Sequence, residues 1–123
     1  MNLRNNLYYI KGKSGDGCTA TYTVALNGEC EVFQAHFPGQ PITPGVCILQ
    51  MVTELLEDCT GRQLVVTRVK NAKFLTVLTP GEASISVSLT NVREDNGVYS
   101  AQSVLSDANG TVYAKISIEA VAK

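Results

Sequence analysis

One short segment concentrates the residue types that could do chemistry. Residues 36–46 read His-Phe-Pro-Gly-Gln-Pro-Ile-Thr-Pro-Gly-Val, with one histidine, three prolines and two glycines. Proline restricts the backbone and glycine permits angles that other residues avoid, so such a loop can hold His36 in a fixed position. An imidazole titrates near neutral pH, which suits proton transfer as a base or an acid. The segment predicts an active-site loop with His36 as a catalytic residue.

A helical pattern follows this loop directly. Apolar residues recur at helical spacing after Val46, and Gly61 suits a left-handed C-terminal cap, so we expect a helix that ends near Cys59 or Thr60. Free N–H groups at its start, at Gly45 and Val46, could polarise a carbonyl group. The predicted apolar arc contains Ile48, Leu49, Met51, Val52, Leu55, Leu56 and Cys59, and the predicted polar arc contains Gln50, Thr53, Glu54 and Glu57.

The remaining segments have the alternating pattern of strands. Strands are predicted at residues 7–11, 19–26, 30–34, 64–78, 83–92, 98–106 and 111–120, with turns at 14–17, Asn96-Gly97 and Asn109-Gly110. An antiparallel sheet of about five or six strands could bury one long apolar helix by wrapping around it. The pattern therefore predicts an α+β fold.

Composition limits the class of protein. At 123 residues, with 45% hydrophobic and 17% charged residues, the chain suits a single domain covering residues 1–123. Ten basic and eleven acidic residues without a basic run argue against a nucleic-acid-binding protein. The N-terminus lacks a signal-peptide pattern and no stretch of about 18 apolar residues occurs, so we expect a cytoplasmic protein without a membrane span.

The cysteines indicate neither a metal site nor a disulfide framework. Cys18, Cys30, Cys47 and Cys59 form no C-x-x-C pair, and the chain has one histidine. A zinc site with the usual ligand spacing is therefore not predicted. Cytoplasmic thiols stay reduced, and free cysteines are among the most buried residues. We expect reduced, mostly buried cysteines and no bound metal.

The loop, the helix and the strand pattern that follows resemble the hotdog-fold 3-hydroxyacyl-[acyl-carrier-protein] dehydratases. That family carries a His-Phe-Pro-Gly-x-Pro-x-x-Pro-Gly-Val loop at the start of its central helix, and residues 36–46 match every defined position. The resemblance implies a hotdog fold and a reaction without metal or redox cofactor. It also implies a homodimer in which the histidine of one subunit faces an acidic residue of the other, beside a tunnel for the acyl chain.

The helix departs from the family pattern at one pair of positions. The family has an acidic residue fourteen positions after the histidine and a glutamine four positions further, where this chain has Gln50 and Glu54. The resemblance assigns removal of the α-proton to His36 and protonation of the β-hydroxyl to the acidic position. An amide has no titratable proton, so Glu54 or a water held by Gln50 would take the acid role. Alternatively, Gln50 and Glu54 bond each other or form a polar stripe with Glu57.

Three functions remain open on these residues. The first is dehydration of 3-hydroxyacyl thioesters, on acyl carrier protein or coenzyme A, to trans-2-enoyl thioesters in fatty-acid or related acyl-chain synthesis. The second is an impaired acyl-binding subunit that pairs with an active homologue, and Gln50 favours it. The third is a hotdog acyl thioesterase that uses Glu54 to activate water. The predicted substrate-binding residues are Phe37, Pro44, Gly45 and Val46, of which Phe37 and Pro44 are expected chiefly to shape the loop.

Overall fold

Six strands and two helices make up the described part of the chain. The computed structural model describes residues 2–16, 19–35, 42–81 and 84–123. The elements in chain order are β1 Tyr8–Asp16, β2 Thr19–Leu26, α1 Glu31–Ala35, α2 Gly45–Thr60, β3 Leu64–Phe74, β4 Ile85–Asp95, β5 Val98–Ser106 and β6 Val112–Ala122. The strands form one sheet in the order β1-β2-β4-β5-β6-β3, and each neighbouring pair is antiparallel.

One face of the sheet packs against α2. Every second residue is buried over 85–89 of β4 and 114–120 of β6, as the alternating pattern predicts, because successive side chains of a strand point to opposite faces. On the helix, Met51, Val52, Leu55 and Leu56 have no exposed surface. Burial of each such side chain stabilises the fold by about 1.5–3 kcal/mol. The core therefore lies between α2 and the inner face of the sheet.

The predicted boundaries of α2 are confirmed. The helix spans Gly45–Thr60, and Gly61 adopts the left-handed conformation with φ 71° and donates its N–H to the carbonyl of Glu57. The predicted polar arc is wrong at two positions. Thr53 and Glu54 are only 6% and 7% exposed, because the N-terminal segment and β3 cover that side of the helix. The polar side of α2 therefore faces protein over much of its length.

The strand predicted at residues 30–34 is instead the short helix α1. Cys30 and Phe33 are both buried, at 5% and 2% exposure. Residues three apart share a face of a helix, whereas in a strand they would point to opposite faces. A backbone hydrogen bond from the Phe33 N–H to the Cys30 carbonyl closes the turn. Burial of both side chains on one side favours the helix.

Several predicted strand ends also shift. β3 stops at Phe74 rather than residue 78, because the N–H groups of Leu75 and Thr76 both reach the carbonyl of Tyr113 and the chain then leaves the sheet. β1 continues through the predicted turn to Asp16. β4 extends to Asp95, where Asn96 and Gly97 with φ 52° and 84° form the expected hairpin. Residue 83, the predicted start of β4, lies outside the described residues.

The described cysteines are free thiols. Cys30 and Cys47 are buried and Cys59 is partly buried, while Cys18 lies outside the described residues. Burial, with a smaller contribution from Cys30, raises the pKa of the Cys47 thiol. A thiol that stays protonated behaves as a small apolar group. Among the described residues, no helix has the length and apolar character needed to cross a membrane.

Candidate functional site

The predicted site residues fall into two groups on α2 and one group that is not described. His36 and Phe37 lie outside the described residues. Pro44, Gly45 and Val46 lie at the N-terminal end of α2. The other two predicted residues, Gln50 and Glu54, lie one turn apart further along the same helix, with 2.9 Å between Gln50 Nε2 and Glu54 Oε2.

The Glu54 carboxylate lies under the N-terminal segment. Among the described residues it accepts four hydrogen bonds. Its Oε2 receives the N–H of Leu3 at 2.8 Å and the amide of Gln50, and its Oε1 receives the N–H of Arg4 at 2.8 Å and the Tyr8 hydroxyl at 2.9 Å. A carboxyl group with donors on both oxygens acts as an acceptor. Glu54 therefore ties the start of the chain to α2.

Tyr8 remains a reliable donor to this carboxylate. Its side chain has no exposed surface. Burial, followed by the negative charge of Glu54, raises the pKa of the Tyr8 hydroxyl far above the ordinary tyrosine value. The hydroxyl therefore keeps its proton at neutral pH and can donate it in the hydrogen bond to Glu54 Oε1.

Glu54 also orients the Gln50 amide. A carboxylate can only accept hydrogen bonds, so Gln50 must turn its NH₂ group towards Glu54 and its carbonyl oxygen away from it. Gln50 is partly buried and lines a cavity of about 490 Å³ together with Asn2, Thr53, Glu57 and Leu64. Gln50 is therefore a neutral amide held in one orientation, and it has no titratable proton to transfer.

The carboxylates in the last turns of α2 are bonded as well. Glu57 Oε2 accepts the N–H of Leu64 at 2.8 Å, which positions the start of β3. Asp58 accepts the Tyr22 hydroxyl at 2.7 Å and Arg4 Nη1 at 3.0 Å. The Tyr22 hydrogen bond, with a further contribution from Arg4, holds the pKa of Asp58 below its usual value. These carboxylates stabilise contacts between α2 and other elements.

The N-terminal end of α2 differs in its hydrogen bonding. Pro44 precedes the helix with φ −61° and ψ 147°, and no side chain among the described residues caps the first turn. The Pro44 carbonyl receives the N–H groups of Cys47 and Ile48 at 3.0 and 3.1 Å. Within the described part of the chain, the N–H groups of Gly45 and Val46 have no acceptor. Such groups carry the positive end of the helix dipole and attract an oxygen with negative charge.

A groove opens beside this end of the helix. Its volume is about 360 Å³, and it is lined by Ile42, Thr43, Gly45, Ile48, Phe74, Leu75, Thr76, Val77 and Leu78. The Phe74 ring packs on Gly45 so closely that a Cβ there would lie 3.0 Å from Phe74 Cζ. An apolar groove with a few polar groups is the usual form of a small-molecule site.

Sequence reasoning missed the far wall of this groove and did not single out Thr43. The segment after Phe74 reads as the end of a strand, because its apolar residues continue the pattern of β3. The available signal was the stretch 74–78, which is apolar except for Thr76 and is followed by Pro80-Gly81. No cluster of three or more potential metal ligands occurs among the residues with a described placement.

Comparison with known proteins identifies the family. The model of the ApeI-like family, described as ApeI dehydratase, matches residues 12–115. The chain belongs to the ApeI-like dehydratase family. Similar curated proteins are the 3-hydroxyacyl-[acyl-carrier-protein] dehydratases FabZ of Latilactobacillus sakei, 36% identical over 92 residues, and of Lactiplantibacillus plantarum, 29% identical over 101 residues. These matches cover 68% and 76% of this chain, which spans 64% and 67% of the respective relatives, or about two thirds of their length.

Solved structures confirm the hotdog fold of this ApeI-like family member. The dehydratase heterocomplex ApeI:P from Xenorhabdus doucetiae has a TM-score of 0.74 at 18% identity, with 92% of this chain and 96% of that chain covered. A hypothetical thioesterase with coenzyme A from Streptococcus pneumoniae has a TM-score of 0.70 at 8% identity, with 94% and 85% covered. At these identities the likeness concerns the fold alone.

Part of the site lies inside the range matched by the family model, and part lies before it. The loop at 36–46, Gln50 and Glu54 lie inside the matched range of the ApeI-like dehydratases, 12–115. Three of the four donors to Glu54, from Leu3, Arg4 and Tyr8, lie before it. The hydrogen bonds to Glu54 therefore come largely from residues that lie before the matched range.

Proposed function

We propose that this member of the ApeI-like family dehydrates 3-hydroxyacyl thioesters to trans-2-enoyl thioesters, in fatty-acid or related acyl-chain synthesis. The substrate would be carried on acyl carrier protein or coenzyme A. The observation that carries the proposal is the family match over residues 12–115, which includes the complete loop at 36–46. The dehydratase names of the FabZ relatives support the same reaction. A cytoplasmic location remains a prediction.

In the proposed reaction, His36 removes the α-proton and the β-hydroxyl leaves as water. The hydroxyl needs one proton, and Gln50 has none to give. Glu54 is bonded as an acceptor on both oxygens, so it is poorly placed as the donor. We therefore assign proton delivery to a water held by the Gln50 amide. That water regains its proton from His36, so the products are the enoyl thioester and one water.

The edge of the sheet supports a dimer. β3 ends the strand order, so within the described part of the chain one of its sides has no neighbouring strand. Val65, Val69 and Phe74 on this strand are 45–49% exposed. An exposed apolar edge strand is a template for pairing with another chain. We propose that two subunits associate through β3, which would bring the loop of one subunit towards position 50 of the other. Val69→Lys should shift the sedimentation coefficient to that of a monomer. Thr19→Lys, a change at an exposed polar position of β2 away from this edge, serves as control.

The central test is the rate at which the purified protein hydrates or dehydrates a carrier-bound thioester. We expect activity in the wild type, and a loss of about 10²–10⁴-fold in His36→Ala, the typical contribution of a positioned base. Glu57→Gln is the matched control, because Glu57 is also a carboxylate on α2 that accepts a backbone N–H. An active His36→Ala variant would contradict the assignment of the base.

Variants at positions 50 and 54 test the source of the proton. Glu54→Gln should retain most of its catalytic rate wherever circular dichroism shows a folded protein, because the amide oxygen of the new glutamine can still accept from Gln50 and orient it. Complete loss of activity in a folded Glu54→Gln variant would instead make Glu54 the acid. Gln50→Glu should raise the rate if a titratable group at position 50 improves on the bound water.

A second candidate is a partner subunit without activity of its own. The neutral Gln50 and the fully bonded Glu54 favour it, and the similar structure from Xenorhabdus doucetiae is a heterocomplex of dehydratases. This candidate function predicts no turnover by the purified wild type and activity only together with a second hotdog chain.

The thioesterase alternative needs a carboxylate that can activate water. Because Glu54 is 7% exposed and bonded on both oxygens, the structure does not favour this third function.

A further inference from the structure

The groove beside α2 contains a buried hydroxyl group without a partner. Thr43 is 4% exposed, and no residue that the structure describes forms a hydrogen bond with its Oγ1. The Thr43 N–H donates to the carbonyl of Leu78 at 2.8 Å, which holds the residue against the far wall of the groove. Buried polar groups are almost always bonded, so an unpaired one indicates a missing partner.

Thr43 differs in this respect from the other hydroxyl of the groove. Thr76 also lines the groove, but it is exposed and can bond to water. The remaining side chains of the lining are apolar. A threonine side chain is restricted at χ1, so the Thr43 hydroxyl has few positions available to it. The groove therefore offers a ligand one buried hydroxyl at a nearly fixed place.

We infer that the Thr43 hydroxyl donates a hydrogen bond to the carbonyl oxygen of an acyl thioester bound in this groove. The inference rests on the proposed function, and it adds a residue that the resemblance does not assign. Thr43 and Gly45 line the same groove at the N-terminal end of a helix of 16 residues. The Gly45 N–H has no acceptor among the described residues, so two donors are available there.

The chemistry of the reaction explains why donors are needed at this place. Removal of the α-proton moves negative charge onto the thioester oxygen. Donors already in position stabilise that charge without reorganisation, and the positive end of the helix dipole adds to the effect. The apolar side chains around Thr43 would accommodate the acyl chain and exclude water. Thr43 is thus a second donor beside the backbone, on a side chain that can be changed.

Ser103 provides a matched control within the same molecule. Its Oγ is the other buried side-chain oxygen without a partner among the described residues, and Ser103 is 3% exposed. It lies on β5 opposite Leu89 and Ile116, and it does not line the groove. Removing either hydroxyl relieves an unpaired buried group and should not lower stability. Only the change at Thr43 should affect a bound thioester.

The experiment compares Thr43→Val, Thr43→Ser and Ser103→Ala with the wild type. Thermal unfolding, kcat and KM for dehydration are measured for each. Affinity is measured for a saturated acyl-pantetheine thioester and for the thioether that lacks its carbonyl oxygen. We expect Thr43→Val to unfold no earlier than wild type, to lose about 10²-fold in kcat, the effect of one oxyanion donor, and to lose its preference for thioester over thioether. Thr43→Ser keeps the hydroxyl without the χ1 restriction, so it should lose less kcat than Thr43→Val and keep the preference for the thioester. Ser103→Ala should match the wild type in unfolding temperature, kcat and preference.

Two results would contradict the role inferred for Thr43 without contradicting the proposed function. One is a folded Thr43→Val variant with wild-type kcat and an unchanged preference for the thioester, since the hydroxyl would then bond only to a buried water. The other is an equal loss in Thr43→Ser, which would show that the methyl group rather than the hydroxyl matters. Failure of the wild type to bind either ligand or to turn over would overturn the proposed function together with the inference.

Discussion

The polar groups at the two ends of α2 differ in their hydrogen bonding. Towards its C-terminus, Glu54, Glu57 and Asp58 each accept hydrogen bonds from other elements. At its N-terminus, the Thr43 hydroxyl and the Gly45 N–H have no acceptor among the described residues. Folded proteins bond nearly all of their buried polar groups. The carboxylates of the first end are satisfied within the protein, whereas the second end is where we propose that a ligand binds.

Glu54 illustrates the point. A carboxylate one turn from the expected acidic position suggests a displaced acid, and its residue type alone permits that interpretation. In the structure its donors include the N–H groups of Leu3 and Arg4, which lie more than forty positions away along the chain. Neither residue lies in one of the named helices or strands, and the only other acceptor for these groups among the described residues is Asn2 Oδ1, 3.3 Å from the Arg4 nitrogen. The Glu54 carboxylate therefore supplies the Leu3 and Arg4 N–H groups with acceptors, as carbonyl groups do within a helix or sheet.

Removal of the Glu54 carboxylate is the strongest test of the hydrogen bonding towards the C-terminus of α2. Glu54→Ala should lower the free energy of unfolding by about 3–5 kcal/mol, because several buried donors lose a charged acceptor together. Urea denaturation measures the change. Glu94→Ala is the control, since Glu94 accepts one bond from Gly97 at an exposed hairpin, and it should cost below about 1 kcal/mol. Equal effects of the two variants would remove the distinction between the ends of α2.

The variant Gly45→Ala tests the N-terminal end of α2. Gly45→Ala should lower kcat/KM by about 10²-fold, because the added Cβ displaces the Phe74 ring into the groove. The free energy of unfolding should stay within about 1 kcal/mol, since alanine favours the helix. Gly12→Ala, where an added Cβ meets no atom within 4 Å, is the control. Restoration of activity by a second change, Phe74→Leu, would confirm the cause, and a fully active Gly45→Ala would contradict it.

Tyr8→Phe measures a single bond of the Glu54 cluster. Loss of the hydroxyl that donates to Glu54 Oε1 should lower the free energy of unfolding by about 1.5 kcal/mol. Combined with Glu54→Gln in a double-mutant cycle, the two changes should be less than additive, because they share this bond. Strict additivity would mean that the hydroxyl contributes through packing alone.

The smallest predicted effect concerns pH and Asp58. The Tyr22 hydrogen bond holds the pKa of folded Asp58 below its usual value, whereas the unfolded chain titrates near about 3.9. The folded state therefore binds this proton less readily, so the stabilisation is present above pH of about 4 and is lost as the pH falls through the folded pKa. In Asp58→Asn, the melting temperature should fall less steeply with acidification than in the wild type. Parallel curves for the two proteins would refute this contribution.

The amino-acid sequence determined the elements whose signals are local. The span of α2 and its Gly61 cap follow from helical spacing and from the conformational freedom of glycine, and the alternation in β4 and β6 follows from the geometry of a strand. The motif at 36–46 indicated the family that the comparisons then showed. The roles of His36 and Phe37 stay predictions, because both lie outside the described residues.

Tertiary structure alone decided which polar groups are bonded and where the groove lies. The partners of Glu54 are separated from it by up to 51 positions, and Thr43 meets Leu78 across 35 positions of chain. Residues 30–34 became helical because Cys30 and Phe33 are buried on one side. Periodicity reports which face of an element is apolar, but it carries no information on which distant backbone group will need an acceptor. That need arises only when the chain has folded and water has left.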